Sequence, residues 1–186
     1  MADALSTRLS AAPLTDEKRL SEADFAVSVD PAELHFNAAH FITFDRGCEN
    51  LHGHNFHVRL RVCGANTADA YVVDFVQLNR LAGDICATLH DRVLLPGESR
   101  VMRLTRRDGL IEVSAYDKRF AFPEENCAVL PVTNTTAEML AWHIGEELLR
   151  ALDARGLLAN LTEVEVAVEE ADRQWGVCRR SISGAA

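Results

Sequence analysis

His54–Gly64, HNFHVRLRVCG, sets Phe56, Val58, Leu60 and Val62 on alternate positions with polar or charged residues between them. Successive strand side chains point to opposite faces, so this run predicts a half-buried β-strand with one apolar side. Phe25–Phe36, FAVSVDPAELHF, has the same period of two. Two such runs close together predict antiparallel pairing. The period changes in Val72–Asp91, VVDFVQLNRLAGDICATLHD, where Leu78, Leu81, Ala82, Ile85 and Leu89 form a helical stripe and Asp74 stands where an N-cap belongs.

Arg100–Pro123, RVMRLTRRDGLIEVSAYDKRFAFP, is broken by Asp108-Gly109 and by Tyr116-Asp117-Lys118 into three short alternating runs, which predicts a small β-meander. In Asn134–Leu152, NTTAEMLAWHIGEELLRAL, Thr135 and Glu138 have capping-box spacing ahead of a Leu140, Ile144, Leu148 face, predicting a second amphipathic helix. LTEVEVAVEE (161–170) and QWGVCRRSIS (174–183) predict two closing strands. Helices segregated from an antiparallel sheet define the α+β class. Residues 1–24 are small, polar and charged and read as a flexible leader, leaving residues 25–183 as one domain.

The 186-residue chain is 48% hydrophobic and 25% charged, ordinary for a globular domain able to bury a core. Its formal charge of −9 opposes binding to nucleic acid or anionic membrane. No apolar run reaches the roughly 20 residues a bilayer span needs, and there is no secretory h-region, so a cytoplasmic location is expected. The five cysteines are odd in number and scattered, which predicts reduced thiols rather than a disulfide framework.

Cys48–Phe56, CENLHGHNF, crowds a cysteine and two histidines around a glycine. On a strand His52 and His54 project to the same side, and an antiparallel return through residues 41–51 brings His40, at the end of FNAAH, beside them. Three neutral imidazoles suit Zn²⁺ and leave a fourth position for water or substrate. Cys48, in the loop-like DRGCEN, is either that fourth ligand or a base and nucleophile next to an open metal; the spacing leaves both standing. Cys63, Cys86 and Cys127 lie in apolar patterns and are assigned to packing.

FNAAHF, CENLHGHNF, YVVDFVQL, NTTAEMLA and VEVAVEEADRQWG together resemble the 6-pyruvoyltetrahydropterin synthase family, which includes the 6-carboxytetrahydropterin synthases. The resemblance spans about Phe25 to Arg180, and the three-residue gap from Cys48 to His52 looks more like the carboxy-pterin enzymes. It implies a tunnelling fold, with a four-stranded antiparallel sheet, two helices on one face, and a homohexamer of stacked trimers with active sites between subunits. It further implies His40, His52 and His54 as zinc ligands, Cys48 as catalytic thiol, Glu170 as the carboxylate that anchors the pterin ring, and Thr135 and Thr136 as ring contacts. Glu169 competes with Glu170 by one position, and strand alternation lets only one of them face the pocket. The implied substrate is the small molecule 7,8-dihydroneopterin triphosphate. The implied product is a carboxy-pterin on the way to 7-deazapurines of the queuosine type, or alternatively a pyruvoyl-type reduced pterin.

One segment departs from the resemblance. The family carries Asp-His after its first helix, whereas this chain reads TLHDRVLLPG, with His90 before Asp91. Both remain catalytic candidates, since a loop can restore what a helical turn of about 100° per residue would take away. A homologue that keeps zinc and pterin but has lost catalysis is a further reading of the same inversion.

Overall fold

The computed structural model describes residues 25–182. The leader expected over residues 1–24 lies outside the described residues, as does Ser183 at the end of the expected domain. Strands β1 (Phe25–Val29) and β2 (His35–His40) come first, followed by the two-residue strands β3 (Thr43–Phe44) and β4 (Gly47–Cys48) and the long β5 (His52–Gly64). Helix α1 (Phe75–Leu89) leads to β6 (Arg92–Pro96). Three strands then form the meander, β7 (Arg103–Arg107), β8 (Leu110–Ala115) and β9 (Lys118–Pro123). A 3-10 turn, Glu124–Asn126, enters β10 (Cys127–Leu130), and helix α2 (Ala137–Asp153) precedes β11 (Leu161–Ala171) and β12 (Gln174–Ser181).

The main sheet corrects the expected four antiparallel strands. It has seven strands in the order β10-β6-β2-β5-β11-β12, with β1 also on β5. Strand β5 is long enough for its first half to pair with β2 and its second half with β1 on the same side, while β11 runs along the other. The sheet is also mixed, because β6 pairs in parallel with both β2 and β10. The direction of β6 follows from the chain order: β5 runs antiparallel to β2, the chain then returns through α1 antiparallel to β5, and β6 therefore lies parallel to β2. Arg92–Pro96 and Cys127–Leu130 are short and do not alternate, so nothing in their pattern marks them as strands.

Even-numbered residues of β2 and β5, with Val164, Val166 and Val168 of β11, face the two helices and form one core with Leu78, Leu140 and Ile144. Each large side chain buried there contributes roughly 1.5–3 kcal/mol. Asp74 caps α1 as expected, accepting from the Gln77 amide at 2.8 Å. The cap of α2 is a correction: Thr136, not Thr135, accepts from the Met139 amide. Thr135 is thereby released from capping and is fully buried.

The meander has a smaller core of its own. Ile111, Val113 and Ala115 pack with Phe41, Leu95 and Met102, and Phe120 stacks on Phe41 at 4.4 Å between ring centroids. At the other end of the sheet the backbone of β12 runs against the start of α2. A Cβ at Gly176 would lie 2.4 Å from the Ala137 carbonyl carbon and the Glu138 nitrogen, so only glycine allows this approach. No helix among the described residues is long and apolar enough to cross a membrane.

Candidate metal centre and active site

The β2–β5 register pairs His40 directly with His52 and Ala38 with His54, so the hairpin delivers all three imidazoles to the helix-facing side at the end of the core. Their ring centroids are 4.7, 5.2 and 5.0 Å apart. Phe56 packs against His40 and His54, at 5.4 and 5.5 Å, and walls the cluster off from the main core. Glu170 joins them, and one ligand atom from each of His40, His52, His54 and Glu170 falls within 4.8 Å of all the others.

The tautomers follow from hydrogen bonds. Nδ1–H of His40 donates to the Thr135 carbonyl at 2.9 Å, and Nδ1–H of His52 donates to the Asn50 carbonyl at 2.9 Å. A carbonyl can only accept, so each neutral ring carries its proton on Nδ1 and turns an unprotonated Nε2 into the cluster. Nε2 of His40 and of His54 are buried with no hydrogen-bond partner. Burial also holds His40 below its ordinary pKa, against the opposing bond to Thr135 and the Glu170 charge, which keeps this ring neutral. Ring nitrogens converging on one point beside a carboxylate, two of them buried without a partner and two with the ring proton held on the far nitrogen, are what a divalent cation requires, so the residues fit a metal ion.

Strand alternation decides between the two glutamates. Glu169 pairs with His57 on the opposite face, where its carboxylate accepts from the Arg173 amide at 2.7 Å. Glu170 projects to the helix side, with Oε1 3.6 Å from Nε2 of both His40 and His54.

Cys48 ends the short β4 strand, half-buried, with Sγ directed to the Glu49 carbonyl at 3.6 Å. It is not one of the grouped ligand atoms. Burial raises the thiol pKa, Lys118 opposes the rise, and Asp117 and Glu49 add to it. His90 and Asp91 lie elsewhere. His90 follows α1 as its C-cap residue and Asp91 takes a left-handed φ of 55°, so both are in the loop. Nδ1 of His90 accepts from the Asn37 amide at 3.4 Å, which leaves its neutral-form proton on Nε2, 3.6 Å from the Asp91 carboxylate. Neither residue belongs to the ligand group, although Asp91 and His54 line one cleft.

Three contributors escaped the sequence reading. The carbonyls of Thr135 and Asn50 orient the imidazoles, and backbone atoms leave no compositional trace. Glu49, whose carboxylate is 3.9 Å from Nε2 of His52, was in plain view beside Cys48.

The fold, a mixed sheet with two helices on one face, places the chain in a class of protein shared with solved pterin enzymes. The chain belongs to the 6-pyruvoyl tetrahydropterin synthase family, whose description matches residues 31–181. A Methanocaldococcus jannaschii protein provisionally named 6-carboxy-5,6,7,8-tetrahydropterin synthase is 29% identical over 150 residues, 80% of this chain and 91% of that one. The 6-pyruvoyl tetrahydropterin synthase of Plasmodium falciparum superposes with a TM-score of 0.81 at 30% identity, covering 86% of this chain and 99% of its own. The Plasmodium vivax enzyme gives the same TM-score at 29% identity and coverages of 87% and 100%. A variant of that enzyme with a catalytic glutamate replaced by alanine also matches, at 28% identity.

Proposed function

We propose that this protein is a zinc-dependent 6-carboxytetrahydropterin synthase acting on 7,8-dihydroneopterin triphosphate. The observation that carries the reading is the set of His40, His52 and His54 nitrogens converging with Glu170 on one point, with the His40 and His52 protons held on Nδ1, away from it. The name carried by the archaeal relative favours the carboxy-pterin product over the pyruvoyl one.

Zinc held by the three imidazoles would supply Lewis acidity toward the side-chain hydroxyls of the substrate. The remaining work belongs to the chain. Glu170 accepts two hydrogen bonds from the 2-amino and N3 edge of the pterin, a match that an amide cannot reproduce. Thr136, half-buried at the entry to α2, contacts the ring, while Thr135, expected beside it, is buried with its hydroxyl on the Phe41 carbonyl and its own carbonyl on His40, and so supports the metal centre instead. Cys48, as thiolate, takes and returns the side-chain proton. His90 and Asp91, outside the ligand group of their own chain, serve a neighbouring subunit's site in a homohexamer, whose assembly would cover the free edges of β10 and β12. We place the enzyme in the cytoplasm, feeding 7-deazapurine biosynthesis.

Incubation with dihydroneopterin triphosphate followed by mass analysis tests this. Acetaldehyde together with a carboxy-pterin supports the proposal. Triphosphate release without acetaldehyde selects the pyruvoyl product instead, and stoichiometric zinc with no turnover of any dihydropterin selects a binding homologue.

A second reading of the proton carrier is favoured by Glu49. Its carboxylate approaches His52, it adjoins Cys48, and the Plasmodium vivax variant names a glutamate as catalytic. On that reading Glu49 is the base, and Glu49→Gln abolishes turnover where Cys48→Ala only slows it.

A further inference from the structure

The meander is the part of the fold that the proposed chemistry leaves unused, and one of its ends reaches the candidate site. The β8–β9 turn, Tyr116-Asp117, carries Lys118 to the thiol loop, where Nζ donates to the Asn50 side-chain oxygen at 2.8 Å. Asn50 is the residue whose carbonyl orients His52. Lys118 thus reaches, through Asn50, the candidate metal ligand His52 on one side and Cys48 on the other, each two positions from Asn50.

Three further observations set this turn apart. The chain has 19 lysines and arginines, yet only Lys18 and Lys118 are lysines, so the residue at the thiol loop is an exception to a strong preference for arginine. The far turn of the meander is Asp108-Gly109 with φ of 51° and 76°, a pair suited to left-handed backbone. The near turn instead holds Tyr116 at φ 52°, a conformation costly for a bulky side chain, and such strain gathers at functional sites. Finally, the turn is braced: Nη1 of Arg119 donates to the carbonyls of Tyr116 at 3.1 Å and Lys118 at 2.7 Å.

The charges around it are acidic. Glu49 and Asp117 flank the thiol, Glu170 stands among the histidines, and the whole chain carries −9. A polyanionic substrate would be repelled there unless a cation met it. An ammonium has three donors, and Asn50 takes one. Lysine acts on phosphate as a compact point charge on a flexible stem, which suits a tail that moves as the side chain reacts.

We propose that Lys118, presented by the β8–β9 turn, is the anion-binding residue of the candidate site and takes the phosphate-bearing tail of the substrate beside Cys48. The assignment rests on the pterin-synthase reading for its substrate, but its test does not depend on turnover.

The test compares zinc-loaded, full-length wild type with Lys118→Met and Lys118→Arg. Inorganic tripolyphosphate, titrated by calorimetry, should bind Lys118→Met about tenfold or more weakly than wild type, the equivalent of about 1.4 kcal/mol, and Lys118→Arg within a fewfold of wild type. With dihydroneopterin triphosphate, Lys118→Met should raise KM about tenfold or more, whereas KM for dephosphorylated dihydroneopterin should be the same in the two proteins. Equal tripolyphosphate affinity in wild type and Lys118→Met overturns the proposal. So does a loss of affinity accompanied by loss of zinc, which would make Lys118 a strut for Asn50 and His52. If wild type turns over no dihydropterin, the enzymatic reading fails separately, and the tripolyphosphate titration still decides the role of Lys118.

Discussion

Oε1 of Glu170 stands 3.6 Å from Nε2 of His54 and the same distance from Nε2 of His40. Ligands about 2.0–2.1 Å from a tetrahedral zinc lie roughly 3.3 Å from one another, so this carboxylate is placed where a fourth ligand would be as well as where a ring anchor would be. Glu170→Gln separates the two roles. We expect the variant to retain zinc and to lose pterin affinity by about tenfold or more, as for a removed charge-assisted bidentate contact. Zinc per subunit by atomic absorption, alongside a pterin titration, reads both; a drop in zinc would make Glu170 a ligand.

Replacing His52 or His54 by alanine should lower zinc content sharply, because each supplies an Nε2 that no neighbour can replace. Cys48→Ala should keep its zinc, since the thiol stands outside the ligand group, and should lose turnover. Full metal occupancy in both histidine variants would sink the metal assignment.

Thr135 tests the support behind the ligands. Its hydroxyl donates to the Phe41 carbonyl at 3.2 Å, in a fully buried position, while its own carbonyl holds His40. Thr135→Val leaves the Phe41 carbonyl short of a donor and should cost about 1–2 kcal/mol of stability by denaturant unfolding. The slackened imidazole should lower zinc affinity by roughly tenfold, the lower end of what orienting partners contribute. Unchanged affinity would confine Thr135 to a packing role.

His143 gives a pH dependence away from the metal. It is buried on α2 in a cleft shared with Asp84, Glu147 and Arg155, and burial lowers its pKa, with Glu147 opposing and Arg150 adding to the shift. The unfolded chain therefore takes up this proton first as pH falls. Stability should be full above the ordinary histidine value and decline below it, until pH passes the lowered folded value. The slope from this one group is at most about 1.4 kcal/mol per pH unit. His143→Gln should flatten the decline between pH 7 and 5 in thermal unfolding of the metal-free protein, and an unchanged slope would assign the decline to other groups.

Gly176→Ala should destabilise by about 1–3 kcal/mol, the usual cost of overpacking, because its Cβ would meet backbone rather than a movable side chain. A melting temperature equal to wild type would show that α2 can retreat without loss.

The sequence made the site more legible than the sheet. His40, His52 and His54 were readable because strand periodicity fixes which residues share a face, and the hairpin pairing then followed. Periodicity carried the two helices and the meander for the same reason. It could not carry β6 and β10, since RVLLP and CAVL are too short and too evenly apolar to show a period, and their parallel pairing depends on the direction in which long connections return the chain. The capping residue slipped by one because Thr135 and Thr136 are chemically alike, and only burial distinguishes them. Lys118 looked like turn punctuation, and its partner Asn50 lies 68 residues away.

The close approach at Gly176 bears on how mutational surveys of this protein will read. The glycine touches nothing reactive, yet it seats the first turn of α2, and that turn begins two residues after the threonine whose carbonyl steers His40. A substitution there can impoverish the protein in metal from a distance, so a screen scored only by lost product would file a backbone fault among the chemical ones.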